Sequence, residues 1–171
     1  MNSTNFFTIY DVSGAVASPE CRKLAELAAN KVVLEVGSQH GSSTCSMGQV
    51  AKLLVAVDWH RGDDHASKMD TISGFWENLK QYGVLDRVVP MVGTFESVAP
   101  LLIEGQYDLA FIDAQHHYED AKRHIALAAP LLKPDGMFAV HDYGYPAFPG
   151  VKQAVDEYVG SVPNVFHTLA I

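Results

Sequence analysis

The sequence of residues 32–44 is VVLEVGSQHGSST. Its first five residues form a short and almost continuous apolar run, which is typical of a strand that is covered on both faces. Gly37 and Gly41 then bracket a turn, because glycine adopts the backbone angles that a tight strand-to-helix connection needs. The three hydroxyl residues that follow are good helix-starting residues. The stretch therefore predicts a buried strand, a glycine turn and a helix in direct succession.

Outward from this stretch, the same rhythm repeats along the chain. Further apolar runs predict strands at residues 53–57, 87–92, 107–112 and 137–141. Helical patterns occupy residues 18–30, 43–51, 71–82, 96–104, 118–132 and 151–159. Alternating strands and helices are joined by right-handed crossovers, so they form a parallel sheet with helices on both faces. We predict an α/β protein with a three-layer, doubly wound, mostly parallel sheet, in which ligands bind beyond the carboxyl ends of the strands.

Length and charge limit the classes of protein to consider. The chain has 171 residues, of which 48% are apolar, so we predict one domain at residues 18–171 after an N-terminal arm at residues 1–17. The net charge of −8 disfavours a nucleic-acid partner. No apolar run reaches the roughly 18 residues of a membrane span and no signal peptide is recognisable, so we expect no membrane partner and a cytoplasmic location. Cys21 and Cys45 do not form a CxxC pair, which indicates free thiols.

The glycine turn has two interpretations. It can let the backbone approach a ligand closely while the next helix offers free N–H donors, or it can serve the geometry of the connection alone. The spacing of Gly37 and Gly41 matches neither the GxGxxG pattern of dinucleotide-binding proteins nor the GK[ST] ending of a P-loop. Both of those nucleotide-binding classes are therefore disfavoured.

Polar residues also follow the second and third strands. Asp58 stands about 20 residues after Gly37, where an acid can accept hydrogen bonds from both ribose hydroxyls of a nucleoside. It can equally cap a helix or face solvent, but beside the glycine turn it favours a nucleoside site. Thr94 and Phe95 can border an adenine, although Thr94 is equally suited to be the N-cap of the following helix.

Carboxylates and imidazoles concentrate after the fourth and fifth strands. Asp113 and His116 follow the fourth strand, and His141 and Asp142 follow the fifth. Adjacent parallel strands lie about 4.8 Å apart, so these side chains can converge near one point. Six of the eight histidines fall at this edge of the predicted sheet: His40, His60, His65, His116, His117 and His141. The cluster allows a divalent-metal site, a metal-free acid/base site, or no chemical role.

Five motifs follow one another along the chain: EVGSQHG at 35–41, Asp58, FIDAQHHY at 111–118, LLKPDG at 131–136 and HDY at 141–143. This ordered set resembles the class I S-adenosylmethionine-dependent methyltransferases. It is most similar to the small group related to macrocin-type O-methyltransferases and cephalosporin-hydroxylase-like proteins. The likeness covers residues 18–159. It implies the Rossmann-like class I methyltransferase fold, with S-adenosylmethionine as the cofactor.

The resemblance also implies a set of site residues. Glu35, Gly37, Gly41 and Asp58 are expected at the cofactor, with Asp58 on the ribose. With the neighbouring candidates, the full set expected at the cofactor is Glu35, Gly37, Ser38, Gly41, Ser42, Asp58, Trp59, Thr94, Phe95 and Asp113. Asp113 and Asp142 correspond to metal ligands in the metal-dependent branch, and we add His141 as a third. His116, His141 and Asp113 are the candidate catalytic residues.

The chain departs from the family pattern in three respects. Gln115 replaces an acid of the usual motif, and His141 stands where several metal-dependent relatives carry a second carboxylate. Imidazole donors favour Mn²⁺, Fe²⁺ or Zn²⁺ over Mg²⁺, so Mg²⁺ is the least favoured of the four ions. Relatives also end with two further strands, whereas only one is predicted here, within residues 165–171. We therefore expect a shortened C-terminal strand region, with either a sheet of six strands or an edge gained from another subunit, and a homo-oligomer that covers the open edge.

The chemistry of methyl transfer defines what the site must do. The leaving group of a sulfonium is a neutral thioether, so the protein has to orient the acceptor and help remove its proton. His116 or His141 would be base or metal ligand, while His117 can simply face solvent. Four aromatic residues can either form an acceptor pocket or pack in the ordinary way: Trp59, Tyr143, Tyr145 and Phe148.

We predict S-adenosylmethionine-dependent methyl transfer to a hydroxyl oxygen of a small-molecule acceptor. Two alternatives remain from the sequence. One is a module that binds an adenosyl cofactor without catalysis, since no inserted lid domain is recognisable. The other is a different enzyme on the same fold, either nicotinamide-dependent or metal-assisted. The missing GxGxxG pattern disfavours the nicotinamide-dependent form.

Overall fold

The computed structural model describes residues 12, 16, 18–62 and 68–161. Most of the predicted N-terminal arm, the histidine at position 65 and the predicted sixth strand at 165–171 lie outside the described residues. None of the described helices is long and apolar enough to cross a membrane.

Five parallel strands form one sheet in the described part of the chain. They are β1 (Val32–Val36), β2 (Leu53–Asp58), β3 (Val88–Val92), β4 (Tyr107–Ile112) and β5 (Leu132–Val140). The strand order is β3-β2-β1-β4-β5, and every neighbouring pair is parallel. The order reverses at β1, so the sheet is doubly wound and its ligand-binding crevice opens beyond the carboxyl end of β1. The predicted fold class is confirmed.

In the part of the chain that the structure describes, six α-helices cover the two faces of the sheet. They are α1 (Ser18–Ala28), α2 (Ser42–Gly48), α3 (Ile72–Gln81), α4 (Phe95–Val98), α5 (Tyr118–Ala128) and α6 (Pro149–Ser161), with 3₁₀ turns at Ala99–Leu101 and Ala129–Leu131. Side chains alternate across a strand, so Val33 packs on one face of the sheet and Leu34 on the other. The first core joins α1, α2 and α3 to the sheet, and the second joins α4, α5 and α6. This arrangement gives the three predicted layers.

Two helix predictions were wrong because of proline. The helix predicted at 96–104 is one α-helical turn followed by a 3₁₀ turn that contains Pro100. The helix predicted at 118–132 ends at Ala128, and Pro130 lies in the next 3₁₀ turn. Proline lacks the N–H that an α-helix needs and its ring clashes with the preceding turn, so both helices stop early.

The fifth strand is longer than predicted and irregular at its start. It begins at Leu132, whereas the sequence predicted 137–141. Leu132 pairs with Tyr107, and the regular register resumes only where Met137 pairs with Leu109. Pro134 therefore lies in the irregular part of a strand that is an edge among the described strands, where the missing N–H is tolerated. The regular part of β5 corresponds to the run that the sequence indicated.

Candidate active site

A cavity of about 410 Å³ lies beyond the carboxyl ends of the strands. The loops after β1, β2, β3 and β4 form it, and Val16 also lines it. Eight of the residues predicted at the cofactor line this cavity: Gly37, Ser38, Ser42, Asp58, Trp59, Thr94, Phe95 and Asp113. The volume falls within the range of small-molecule sites.

Gly37 allows the loop after β1 to pack directly against the loop after β4. Its φ is +91°, and a Cβ atom built on it would lie 1.8 Å from the backbone oxygen of Asp113. The Asp113 N–H donates a hydrogen bond of 2.8 Å to the Val36 carbonyl. No side chain fits at position 37, so this glycine serves the geometry of the turn and also lines the cavity.

Asp58 organises the glycine turn. Its Oδ2 accepts hydrogen bonds from the backbone N–H groups of Ser38 and Gln39, each at 2.8 Å. Its Oδ1 accepts a third from the N–H of His60 at 2.6 Å. These bonds could not be predicted from the sequence, because a carboxylate at the end of a strand gives no sign of its partners. Two carboxylate oxygens offer about four acceptor positions, so Asp58 retains capacity for a ligand hydroxyl.

Glu35 lies beneath the turn instead of facing the cavity. Its side chain is fully buried and accepts hydrogen bonds from Ser43 Oγ and Thr44 Oγ1, both at 2.5 Å. Burial raises the pKa of Glu35 to about 8, although the two hydroxyl bonds oppose the rise. Glu35 therefore anchors the first turn of α2. Gly41, with a φ of +88°, is the N-cap residue of the same helix, and neither residue lines the cavity.

Ser38 presents a polar group to the cavity that the described residues leave unsatisfied. The residue is 4% exposed, and its buried Oγ has no hydrogen-bond partner in the described part of the chain. Buried hydroxyls normally have a partner, so a ligand or a water has to supply one here. Ser42 also lines the cavity, and its Oγ lies 3.5 Å from Cys21 Sγ.

The loop after β3 contributes Thr94 and Phe95. Thr94 is the N-cap residue of α4, as one interpretation predicted, but its side chain makes no capping hydrogen bond to that helix. The Thr94 hydroxyl instead donates to Ser97 Oγ at 3.3 Å. Phe95 is buried and packs edge-on against the ring of His124, with the centroids 5.8 Å apart. His124 lines the cavity but was not among the predicted site residues, because its position on a helix face resembles ordinary core packing.

The predicted carboxylate and imidazole cluster is present after β4 and β5. Those strands are neighbours, and Ile112 pairs with Val140 just before the cluster. His116 Nε2 lies 2.8 Å from Asp142 Oδ2. His141 Nδ1 lies 3.0 Å from the same Asp142 oxygen and 3.5 Å from Asp113 Oδ1. One ligand atom each of Asp113, His141 and Asp142 lies within 4.8 Å of the other two.

The acids and bases of this cluster shift each other's protonation. Burial raises the pKa of Asp113 to about 6; the imidazolium of His141 opposes the rise and the carboxylate of Asp142 adds to it. Burial alone would lower the pKa of His141, but the carboxylates of Asp142 and Asp113 raise it to about 9. Burial would raise the pKa of Asp142, yet the adjacent imidazoles of His116 and His141 hold it well below its usual range. Positive charge is thus favoured between the two carboxylates.

The histidines predicted at this edge divide into separate groups. His116 and His141 belong to the cluster, and only His116 of the two lines the cavity. His117 is exposed as the N-cap residue of α5. His60 is buried elsewhere, with its Nδ1 2.8 Å from Thr71 Oγ1 and its ring against Phe75. His40 lies near Gly74 on α3. The sequence could not distinguish these environments, since histidine suits all of them.

Three of the four predicted pocket aromatics lie near the cavity or the cluster. Trp59 lines the cavity and is 45% exposed, and its Nε1–H donates to the Gly62 carbonyl at 2.6 Å. Phe148 stacks on the ring of His116 at a centroid distance of 4.1 Å, and Tyr145 lies beside Phe148. Tyr143 turns toward α6, where its hydroxyl donates to Asp156 Oδ1 at 2.7 Å.

Glu20, in the first turn of α1, is a further neighbour of the cluster. Its Oε2 lies 3.5 Å from His141 Nε2. The two residues are 121 positions apart, so no local pattern could have indicated the contact.

Comparison with known proteins shows what this architecture resembles. Residues 34–143 match a family model described as a methyltransferase domain. A comparison with curated proteins gives no match.

Solved structures share the fold over most of the chain. Cofactor-bound Rv0187 from MTB has a TM-score of 0.72 at 25% identity, and the match covers 87% of this chain and 71% of that one. A putative O-methyltransferase from Klebsiella pneumoniae has a TM-score of 0.71 at 24% identity, with coverages of 88% and 72%. The O-methyltransferase TomG from Streptomyces achromogenes, solved in complex with SAM, has a TM-score of 0.69 at 22% identity, with coverages of 86% and 71%.

Proposed function

The chain belongs to the methyltransferase domain family, and we propose that it transfers a methyl group from S-adenosylmethionine to a hydroxyl oxygen of a small-molecule acceptor. The observation that carries this proposal is the juxtaposition of two features at one cavity. The glycine turn and Asp58 line the same cavity as Asp113 and His116. A nucleoside site therefore adjoins a group of acids and bases.

The residues of the cavity fit an adenosyl cofactor. Ser38 has a buried hydroxyl without a described partner, and Asp58 has acceptor capacity left after its three backbone bonds. The residues proposed above as cofactor contacts all line this one cavity: Gly37, Ser38, Ser42, Asp58, Trp59, Thr94, Phe95 and Asp113. Glu35 and Gly41 would act indirectly, by holding the turn and the start of α2. TomG, which shares this fold, was solved with SAM.

Bound S-adenosylmethionine supplies an electrophilic methyl group that an acceptor oxygen can attack in line. The protein must therefore hold the acceptor in line and accept its proton. We assign this proton transfer to His116, because it lines the cavity and its Nε2 lies 2.8 Å from Asp142 Oδ2. Asp142 would stabilise the imidazolium that forms. Phe148 stacks on the His116 ring and fixes it. We propose Trp59, which lines the cavity, and Tyr145, which lies beside Phe148, as flat surfaces for an acceptor.

We further propose that Asp113, His141 and Asp142 hold a divalent cation. Two carboxylates and one imidazole, with donor atoms within 4.8 Å of one another, form a donor set of the kind that binds such ions. The imidazole favours Mn²⁺, Fe²⁺ or Zn²⁺ over Mg²⁺. A bound cation supplies Lewis acidity, which eases deprotonation of an acceptor hydroxyl. Without an ion, the imidazolium of His141 balances the two carboxylates and His116 remains the base.

A test of the function is turnover of methyl-labelled S-adenosylmethionine against a panel of hydroxylated small molecules, with Mn²⁺ and with EDTA. We expect label to enter an ether product for one class of acceptor, and we expect EDTA to reduce the rate. His116→Ala should lose the activity while its affinity for S-adenosylhomocysteine stays the same. An inert protein that still binds S-adenosylhomocysteine would favour the non-catalytic cofactor-binding module. Binding of NAD instead would favour a different enzyme on this fold.

We also propose a homo-oligomer and a cytoplasmic location. β3 has one neighbouring strand in the described sheet, and its Val89 and Val92 are 43% and 61% exposed. An unpaired strand edge presents backbone groups that can pair with a second copy. Cys21 and Cys45 are both free and buried, which suits a reducing compartment.

A further inference from the structure

We propose that Glu20 is a positioning residue that orients His141 and strengthens cation binding at the Asp113, His141 and Asp142 cluster. Glu20 lies in the first turn of α1, and its Oε2 is 3.5 Å from His141 Nε2. This inference rests on the proposed metal site and extends it to a helix that supplies none of the three proposed ligands.

The two nitrogens of His141 face different partners. Nδ1 lies 3.0 Å from Asp142 Oδ2 and 3.5 Å from Asp113 Oδ1, so it is the nitrogen on the side of the cation site. Nε2 is on the other edge of the ring and faces Glu20. Glu20 is not one of the three residues whose ligand atoms lie within 4.8 Å of one another. Its contact is therefore with the imidazole and not with the ion.

A carboxylate at this place has a defined chemical effect. Histidines that bind metals generally donate the N–H of their second nitrogen to a carboxylate, a carbonyl or water. When Glu20 accepts the Nε2–H, the neutral imidazole keeps its lone pair on Nδ1, where the ion binds. The side chains of His141 and Glu20 are 7% and 19% exposed, so solvent screens their interaction only weakly. The ring is also held edge-on to Phe111, at a centroid distance of 6.4 Å.

Helix α1 is held in place independently of His141. Leu24 and Ala28 are fully buried in the first core, and Cys21 Sγ lies 3.5 Å from Ser42 Oγ at the start of α2. The contact between Glu20 and His141 thus joins two elements whose positions are set by packing. A purely structural role for Glu20, such as favourable interaction with the helix dipole, would change stability without changing metal affinity.

Calorimetric titration with Mn²⁺ alone tests the proposal. The proteins compared are the wild type, Glu20→Ala, Glu20→Gln and the control Glu26→Gln. Glu26 lies on the same helix with a side chain that is 55% exposed and paired with Lys23, so its substitution changes the helix charge equally without touching the cluster. We expect Glu20→Ala to weaken Mn²⁺ binding about 10-fold or more. Glu20→Gln should weaken it less, since the amide oxygen can still accept the Nε2–H. Glu26→Gln should bind Mn²⁺ as the wild type does, and all four proteins should bind S-adenosylhomocysteine equally.

The outcomes separate this inference from the proposed metal site. Wild-type Mn²⁺ affinity in folded Glu20→Ala overturns the role of Glu20, provided that Asp142→Ala abolishes binding. A wild type that takes up no Mn²⁺ overturns the metal site and the role of Glu20 together. A loss of S-adenosylhomocysteine binding that parallels the loss of Mn²⁺ binding overturns the inference in favour of a structural role for α1. If Glu20→Ala does not fold, wild-type affinity in Glu20→Gln together with an unchanged His141 ring ¹⁵N spectrum overturns it.

Discussion

Asp58 holds the glycine turn and is also the proposed partner of the cofactor ribose. It accepts three backbone hydrogen bonds that hold the glycine turn, and it faces the cavity where the ribose is proposed to bind. The same carboxylate would therefore both shape the site and bind the cofactor.

Replacement of Asp58 should weaken the binding of S-adenosylhomocysteine. Each hydrogen bond to a charged group contributes about 1.5–3 kcal/mol, so Asp58→Ala should lower the affinity at least 10-fold. Calorimetric titration measures the change, and Asp70→Ala, an exposed acid outside the cavity, is the matched control. Unchanged affinity in a folded Asp58→Ala protein would remove Asp58 from the cofactor site.

Glu35 should make the stability of the protein depend on pH. Its pKa is raised to about 8 in the folded state against 4.5 ordinarily, so the folded protein retains a proton that the unfolded chain releases. The contribution of Glu35 to the free energy of unfolding is therefore fully present below pH 4.5. It declines as the pH rises toward 8, by at most about 1.4 kcal/mol per pH unit. Glu35→Gln should remove this decline and be the more stable protein at pH 9. Urea unfolding from pH 5 to 9 measures it, and parallel profiles for the two proteins would refute the assignment.

At the scale of elements, the strands and the cluster between β4 and β5 could be predicted because the information is local. Runs such as residues 107–112 are continuous and apolar, and two consecutive parallel strands placed Asp113 beside Asp142. The early end of α4 was missed because Pro100 stops the helix within an otherwise helical pattern. The irregular start of β5 was missed because the strand extends back through Pro134, a residue that disfavours strands. The contact of Glu20 with His141 could not be predicted from the sequence, since it depends on how α1 packs.

Asp108 joins three elements at the end of the sheet away from the cavity. Its Oδ2 accepts the Val32 N–H at 2.8 Å, and its Oδ1 accepts a hydrogen bond from Lys133 Nζ at 2.6 Å. The residue thereby connects the amino ends of β1, β4 and β5.

Asp108→Ala should destabilise the fold and spare the site. Loss of these two bonds should lower the free energy of unfolding by about 1–3 kcal/mol, because the Val32 N–H is left without its acceptor. Thermal and urea unfolding measure the loss, while the affinity for S-adenosylhomocysteine should stay at the wild-type value. A large fall in that affinity would show that the two ends of the sheet are coupled, contrary to this expectation.

At the scale of the whole molecule, two hydrophobic cores pack on the two faces of one sheet, and the cavity lies beyond the carboxyl ends of its strands. The family match confirms the resemblance that the ordered motifs indicated, and the structural matches confirm the fold. The identity of the acceptor could not be predicted from the sequence, because the loops that would bind it follow no general pattern.

Light scattering tests the proposed assembly. We expect the wild type to be a dimer or larger at micromolar concentration and Val89→Lys on the β3 edge to be monomeric, because a charge blocks edge pairing. Leu101→Lys, which changes an exposed apolar residue outside the strands, is the control. A monomeric wild type would contradict the proposal.

The most direct measurement of the central claim is calorimetric titration of the wild-type protein with S-adenosylhomocysteine, with NAD titrated in parallel. The cavity beside Gly37, Ser38 and Asp58 predicts saturable binding of one S-adenosylhomocysteine per chain and no binding of NAD. A folded protein that gives no saturable response to S-adenosylhomocysteine, or that binds NAD in its place, would contradict the claim that this cavity is the cofactor site of a methyltransferase.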